Sequence, residues 1–334
     1  MALVVHPHFH RRKTGVTTHV ETVVPVLNAE LPCKLLSRGY RFDEALPTIG
    51  EAELRQTLRA GGPVIWHAHR NHEMLTGISL RMRYPNIRLV FTRHTSSRPS
   101  LPTRLLMAKA DACVVLNRES LEYAGSDAKI VYHGVDTERF NYCRDNSRVL
   151  DGAGKSNSPV IGIVGRVRPE KGHEVLVDAV MPLRERHPNL KVVFVGACDR
   201  KHKAWLRSLE KKAPGLIEWV GEQINIASWY HGISIMALPS FREGFSCTVL
   251  EAMASGCVVA VSDISDFDQV VDHGNNGFLF EAGNHRALTG IVGELLDSPH
   301  SMSRIGKAAS QTISKKFTAE HEARTLAGIY KQLL

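Results

Sequence analysis

Long apolar runs are missing: no stretch of the 334-residue chain approaches the roughly 20 apolar side chains that cross a bilayer. The opening "MALVVHPHFHRRK" has too short an apolar segment for a secretory signal, so the cytoplasm is the expected compartment. Cysteine is sparse. The six residues Cys33, Cys113, Cys143, Cys198, Cys247 and Cys257 form no C-x-x-C pair, which argues against a disulfide framework or a cysteine zinc site. Neither a P-loop nor a complete G-x-G-x-x-G occurs. What remains is a globular composition, 43% hydrophobic and 23% charged, at a length that suits two domains of ~100 to 200 residues each.

The net charge of +8 is unevenly spread. Residues 1–150 hold 21 Lys and Arg against 14 Asp and Glu, a balance of +7; residues 151–334 hold 21 against 20, a balance of +1. A basic first half suits an anionic partner, whether nucleic acid, a phosphorylated glycan or an anionic membrane surface. A solvated basic face would carry the same charge.

Short apolar runs alternate with amphipathic stretches along the first half. "ALVV", "PVIWHA", "IRLVFT", "ACVVL" and "AKIVYHG" read as buried strands, and "THVETVVPVLNAEL", "EAELRQTLRA", "EMLTGISLRMRY" and "TRLLMAKA" have helical spacing. The polar, aperiodic stretch at 141–159 reads as a linker. The alternation then restarts with "VIGIVG", "KVVFVG", "IEWVG", "ISIMALPS" and "VVAVS". Two α/β domains with doubly wound parallel sheets follow, residues 1–148 and 149–310, with a helical tail at 311–334 that returns toward the first domain. If the domains face one another, the carboxyl ends of both sheets border a cleft suited to a two-substrate reaction.

Two stretches of the second half carry candidate chemistry. "IGIVGRVRPEKGHEVLVDAV" runs strand, loop, helix, with Arg166 and Lys171 in the loop and a helix starting near His173. A helix amino end beside Arg and Lys suits a diphosphate. "PSFREGFSCTVLEAMASGCVVA" puts Glu243 in a loop after a buried strand and Glu251 inside the following helix, with Ser246 as N-cap and Gly256 ending the helix. Carboxylates accept hydrogen bonds from vicinal hydroxyls. Two at this spacing suit a sugar at one end and a ribose at the other, with the Gly244, Phe245 and Ser246 amides between them. Local pairing of Glu251 and solvation of Glu243 fit the spacing equally.

This stretch resembles the E-x7-E signature of the GT-B glycosyltransferases called family 4. "GRVRPEKG" is similar to that family's phosphate loop, and "DQVVDHGNNGFLF" to a later segment, in the family's order across residues 160–280. The resemblance implies a retaining enzyme with two facing Rossmann-like domains, a nucleotide diphosphate sugar as donor, and neither cofactor nor metal. It implies that Arg166 and Lys171 hold the diphosphate, that Glu243 and the amides of Gly244, Phe245 and Ser246 hold the sugar, and that Glu251 binds the ribose. "KTGVTTHV" resembles the family's glycine loop, with Gly15 near the donor phosphates, and "FTRHT" places His94 beside the transferred sugar as a catalytic residue. The chain departs from the pattern in having one glycine in that loop, Gln269 where Glu is common, and Val258 where Pro is common.

Residues 9–140 further resemble bacterial lipopolysaccharide core mannosyltransferases, which use GDP-mannose. That likeness implies a cytoplasmic enzyme, peripheral at the inner face of the membrane, acting on an anionic glycan or glycolipid. Arg11, Lys13, Arg70, Arg98 and Arg104 are the candidate acceptor contacts. His67, His69 and His72 read as neighbours of Arg70 in acceptor binding rather than as metal ligands, since no carboxylate or cysteine completes a clear ligand set; ordinary loop histidines and solvated arginines fit equally. The D-x-D of Asp266 and Asp268 reads as structural. A UDP-sugar-dependent transferase of the same fold and a GT-B nucleotide-sugar epimerase are the alternatives; a nucleic-acid-binding role leaves the motifs at 160–280 unexplained.

Overall fold

The computed structural model describes residues 2–125, 127–142 and 159–334. The chain forms two compact units, Met1–Gly134 together with Phe317–Leu334, and Val135–Lys316. Most of the expected 141–159 linker, and the expected boundary at 148/149, lie outside the described residues.

In the first unit, strands and helices alternate as β1 (Leu3–His8), α1 (Gly15–Glu30), β2 (Cys33–Ser37), α2 (Glu51–Arg59), β3 (Val64–Ala68) and α3 (Asn71–Arg83). They continue as β4 (Ile87–Arg93), α4 (Leu101–Met107), β5 (Ala112–Val115), α5 (Arg118–Ala124) and β6 (Lys129–Ile130). The sheet is parallel, in the order β2-β1-β3-β4-β5-β6. Its central strands are buried end to end because helices cover both faces, which is why they appear in the sequence as unbroken apolar runs. Val4, Ile65, Val90 and Val114 pack on one face against Val20, Val24 and Leu27 of α1. Val5, Trp66, Leu89 and Phe91 pack on the other, with Leu54 and Met74.

The second unit runs β7 (Val160–Val164), α6 (His173–Val180), β8 (Lys191–Val195), α7 (Lys203–Lys212), β9 (Ile217–Gly221), α8 (Ile226–Gly232) and β10 (Ile235–Leu238). It ends with α9 (Cys247–Ala254), β11 (Val258–Ser262), β12 (Phe278–Phe280), α10 (His285–Asp297) and α11 (Pro299–Lys316). The sheet order is β12-β11-β10-β7-β8-β9, again parallel. The helical tail is two helices, broken at Phe317 and Thr318. The second, α12 (Ala319–Leu333), begins with Thr318 capping the amide of His321 and packs on α1 through Ala323, Leu326, Ala327 and Tyr330.

Sequence patterning found most of this but not β2, whose five residues include Lys34 and Ser37, nor the three-residue β12. Short strands carry too few side chains to show a period. "AKIVYHG" contributes a two-residue strand only.

In both sheets the strand order reverses next to the unit's first strand, between β1 and β3 and between β7 and β10. Ligands of doubly wound sheets bind at the carboxyl ends beside such a reversal. At the second reversal Gly172 is indispensable: its φ is +74°, and a Cβ there would lie 1.9 Å from the Pro239 carbonyl oxygen. Gly15 has open space around its Cβ direction. Gly172→Ala is therefore expected to destabilise the protein by more than about 1 kcal/mol, lowering Tm in a thermal melt. Gly15→Ala should leave Tm unchanged.

Candidate active site

Three loops meet at the carboxyl ends of β7, β10 and β11, which are neighbours in the sheet. The β7 loop turns through a 3-10 segment, Pro169–Lys171, and enters α6 at Gly172. The Phe241 amide of the β10 loop donates to the Glu170 carbonyl at 3.0 Å, and Pro239 abuts Gly172, so the two loops are fastened backbone to backbone. The β11 loop bends through Ser265 and Asp266, both with left-handed φ, and the Ser265 hydroxyl donates to the Glu243 carbonyl at 2.6 Å.

Within this frame the Lys171 ammonium donates to Glu243 Oε1 at 2.5 Å, and the Ser240 hydroxyl donates to the same oxygen at 2.7 Å. Both charged side chains are largely buried, at 14% and 10% exposure. The sequence assigns them to different parts of a donor, diphosphate and sugar. The fold brings them into contact, so a ligand with phosphate on one side and hydroxyls on the other would find a cation and an anion already adjacent. Arg166 is exposed at the start of the same loop.

The rest of the E-x7-E stretch faces inward. Glu251 is buried, and one of its carboxylate oxygens accepts from the Tyr230 hydroxyl at 2.8 Å. Burial, and then the Glu251 charge, push the Tyr230 phenol well above its ordinary pKa. The Phe245 ring packs against Phe267, which leaves only the backbone of that residue for a ligand. Ser246 does occupy the N-cap position of α9, but its hydroxyl pairs with that of Thr248 instead of capping an amide. Ser255 is the C-cap, followed by Gly256 at φ +82°. Sequence reading missed Ser240, Ser265 and Tyr230. Tyr230 sits 21 residues before Glu251 in another helix, with no local pattern to connect them.

A recess of about 580 Å³ lies beside this region, lined by Asp263, Leu279, Phe280, Glu281 and Ala282. None of the expected site residues lines it. Asp268 is exposed and accepts from the Gln269 amide, and the D-x-D is in none of the candidate metal clusters among the described residues.

In the first unit, Gly15 opens α1 at the reversal between β1 and β3, after Thr14, which forms a capping box with Thr17. Arg70 ties this corner together: its guanidinium donates to Thr14 Oγ1 at 2.9 Å and to the buried Glu73 at 3.1 Å, and lies 3.3 Å from His8 Nδ1. The expected acceptor contact is thus engaged inside the unit. Lys13 pairs with Glu21 at 2.8 Å, while Arg11, Arg98 and Arg104 are exposed.

The histidines correct one expectation. His67 and His69 are buried, at 0% and 5% exposure, so their rings cannot meet an acceptor; His72 alone of the three is exposed. Glu322 of α12 meets two other buried histidines, His19 and His133, at 3.5 and 3.2 Å. His94 is the partly exposed member. Its Nε2 lies 2.9 Å from His69 Nδ1 and its Nδ1 3.3 Å from His133 Nε2, so both ring nitrogens already have partners. Burial first, then His133 and Arg70, holds its pKa well below the ordinary range, which keeps the imidazole neutral.

Residues 151–312 match the family model for glycosyl transferases group 1. The lipopolysaccharide core biosynthesis mannosyltransferase LpsB of Rhizobium meliloti (strain 1021) is 29% identical over 99% of this chain and 97% of its own length. LpcC of Rhizobium leguminosarum bv. viciae, with the same description, is 30% identical over 99% of this chain and 96% of its own length. Among solved structures, Anabaena HepE in complex with UDP and glucose superposes with a TM-score of 0.78 at 17% identity, covering 98% of this chain and 99% of that one. The paired doubly wound sheets are thus those of a GT-B glycosyltransferase. The chain belongs to the group 1 glycosyl transferases.

The geometry separates the two halves of the ion pair. Glu243→Ala is expected to lower turnover by about 10²-fold or more with the fold intact. Lys171→Ala, which also leaves Glu243 without its cation, should weaken nucleoside diphosphate binding by about 10-fold or more in calorimetry. Unchanged affinity in Lys171→Ala would remove the cradle.

His173 gives a pH test. It is fully buried at the head of α6 against Phe194 and Trp205, without a hydrogen bond of ordinary geometry to either ring nitrogen. Burial lowers its pKa to about 3. Below an unfolded value of about 6.5 the unfolded chain binds the proton that the folded chain refuses. Its contribution is therefore intact above that pH and is lost as pH falls toward 3. His173→Phe should match the wild-type Tm near pH 7.5 and increasingly exceed it as pH drops through 6 to 4.

Proposed function

We propose that this enzyme transfers mannose from GDP-mannose, with retention of configuration, to an anionic core glycan of the lipopolysaccharide type. The observation that carries the reading is the near full-length likeness to two relatives that are both described as lipopolysaccharide core mannosyltransferases. The fastened loops of the second unit support it chemically. Lys171 and Arg166 take the diphosphate and stabilise the charge that grows on it as the glycosidic bond breaks. Glu243 and the neighbouring amides orient the sugar, and Glu251, steadied by Tyr230, meets the ribose. His94 lies beside the transferred sugar. The donor phosphate assists deprotonation of the acceptor hydroxyl on the same face, so no protein nucleophile and no metal enters the transfer.

The acceptor is amphiphilic, and the first unit has a surface suited to it. Leu101 and Leu105 of α4 are 67% and 62% exposed, flanked by Arg98 and Arg104. Leu75 and Met82 of α3 are also exposed, and Asn71 of α3 donates to Thr103 of α4. Apolar side chains beside arginines suit peripheral contact with an anionic membrane. No helix among the described residues is long and apolar enough to cross one. Nucleic acid has no place in this reading.

In a thermal-shift panel, GDP and GDP-mannose should raise Tm more than UDP, ADP or their sugars. A UDP preference would move the donor to a UDP-sugar, and release of free sugar independent of acceptor would favour an epimerase. Charge reversal at Arg98 or Arg104 should raise the acceptor KM more than the donor KM. The opposite pattern would defeat the acceptor surface.

A further inference from the structure

His19 of α1, His133 in the segment after β6, and Glu322 of α12 meet in the interior of the first unit, each 3–4% exposed. Glu322 Oε1 lies 3.5 Å from His19 Nδ1 and 3.2 Å from His133 Nδ1, and all three ligand atoms fall within 4.8 Å of one another. The other carboxylate oxygen accepts from the Gly134 amide at 2.7 Å, which fixes the carboxylate plane. Gly134 permits this approach, since a Cβ there would lie 2.2 Å from the Thr318 carbonyl oxygen at the head of α12.

We propose that His19 Nδ1, His133 Nδ1 and Glu322 Oε1 bind a divalent first-row transition metal ion, zinc by the chemistry of the donor set. Tetrahedral zinc with bonds of about 2.0–2.1 Å holds its ligand atoms about 3.3–3.4 Å apart, which is the spacing around Glu322 Oε1. Two imidazoles and one carboxylate form a zinc or iron ligand set that leaves a coordination position open. Two other imidazole groups are close enough to be considered, His6, His67 and His69, and His19, His69 and His94. Their ring nitrogens approach to 2.9 Å between His6 and His69 and between His69 and His94, the distance of a shared proton, and neither group contains an anion. Only the Glu322 set of the three combines ligand spacing with a charge that an ion would neutralise.

The ion would also set the direction of a hydrogen-bonded chain. With Nδ1 on the metal, His133 carries its proton on Nε2 and donates to His94 Nδ1. His94 then donates from Nε2 to His69 Nδ1, and His69 from Nε2 to His6 Nδ1. His6 Nε2 faces the Tyr330 hydroxyl at 3.3 Å, and that hydroxyl faces His67, which reaches Thr92. Each contact takes one proton, so a neutral chain has one polarity, with every imidazole an Nε2–H tautomer from His133 to His6. Without the ion, His133 Nδ1–H donates to the carboxylate and the polarity is reversed throughout. The metal thus acts on His94 as a positioning device.

The test uses tag-free full-length protein. Elemental analysis of the purified chain should find about one zinc per molecule. After dialysis against a strong chelator, Zn²⁺ should raise Tm where Mg²⁺ does not, and Co²⁺ should give the visible absorption of a tetrahedral site. His133→Gln and Glu322→Gln should lose the Co²⁺ spectrum, while His67→Gln, outside the ligand set, should retain it; circular dichroism verifies each fold. Wild-type protein with no bound transition metal and no response to Zn²⁺ or Co²⁺ would overturn the site in favour of a chain of neutral histidines closed by Glu322. Metal retained in a folded His133→Gln but lost in His69→Gln would overturn the ligand assignment.

Discussion

The contact between Lys171 and Glu243 depends on backbone more than on side chains. An ammonium on a flexible stem and a carboxylate on a loop would gain little from pairing in water, where exposed ion pairs contribute about 0–1 kcal/mol. Here Gly172 lets one loop ride against the carbonyl of the next, and the Phe241 amide bolts the two together. Both charges are thereby drawn out of solvent before any ligand arrives. A carboxylate held between an ammonium and a hydroxyl is suited to orienting further hydroxyls. Each glutamate of the E-x7-E pair is fixed in place, one by lysine and serine, the other by tyrosine.

The first unit solves a different electrostatic problem. Its histidines, His6, His19, His67, His69 and His133, are buried together, and burial holds the pKa of His19, His67 and His69 well below the ordinary value and that of His6 at about 3. Neutral rings can share protons in series, and α12 adds to them the carboxylate of Glu322, beside His19 and His133.

Local patterns were legible in the sequence, and distant encounters were not. Apolar runs announced the buried central strands because a doubly covered parallel strand has no polar face, and "GRVRPEKG" and "REGFS" announced the loops that follow β7 and β10. The same string could not show that Lys171 touches Glu243, 72 residues away, or that Tyr230 occupies Glu251. "WHAHRNH" looked like a surface cluster because alternation on a strand says which side chains share a side and not how deep that side lies. Glu322, which meets the buried His19 and His133, is distant from both in the chain and lies in a helix whose pattern is merely amphipathic.

The return of α12 to the first unit also bears on how the protein is made. His19 and His133 leave the ribosome long before Glu322, with the whole of the second unit synthesised in between. Until then α1 lacks the helix that packs on it. The second unit is an uninterrupted run of chain and can complete itself during synthesis. The first must wait for α12, so a nascent chain that stalls before it would expose the histidine-rich unit while the second is already folded.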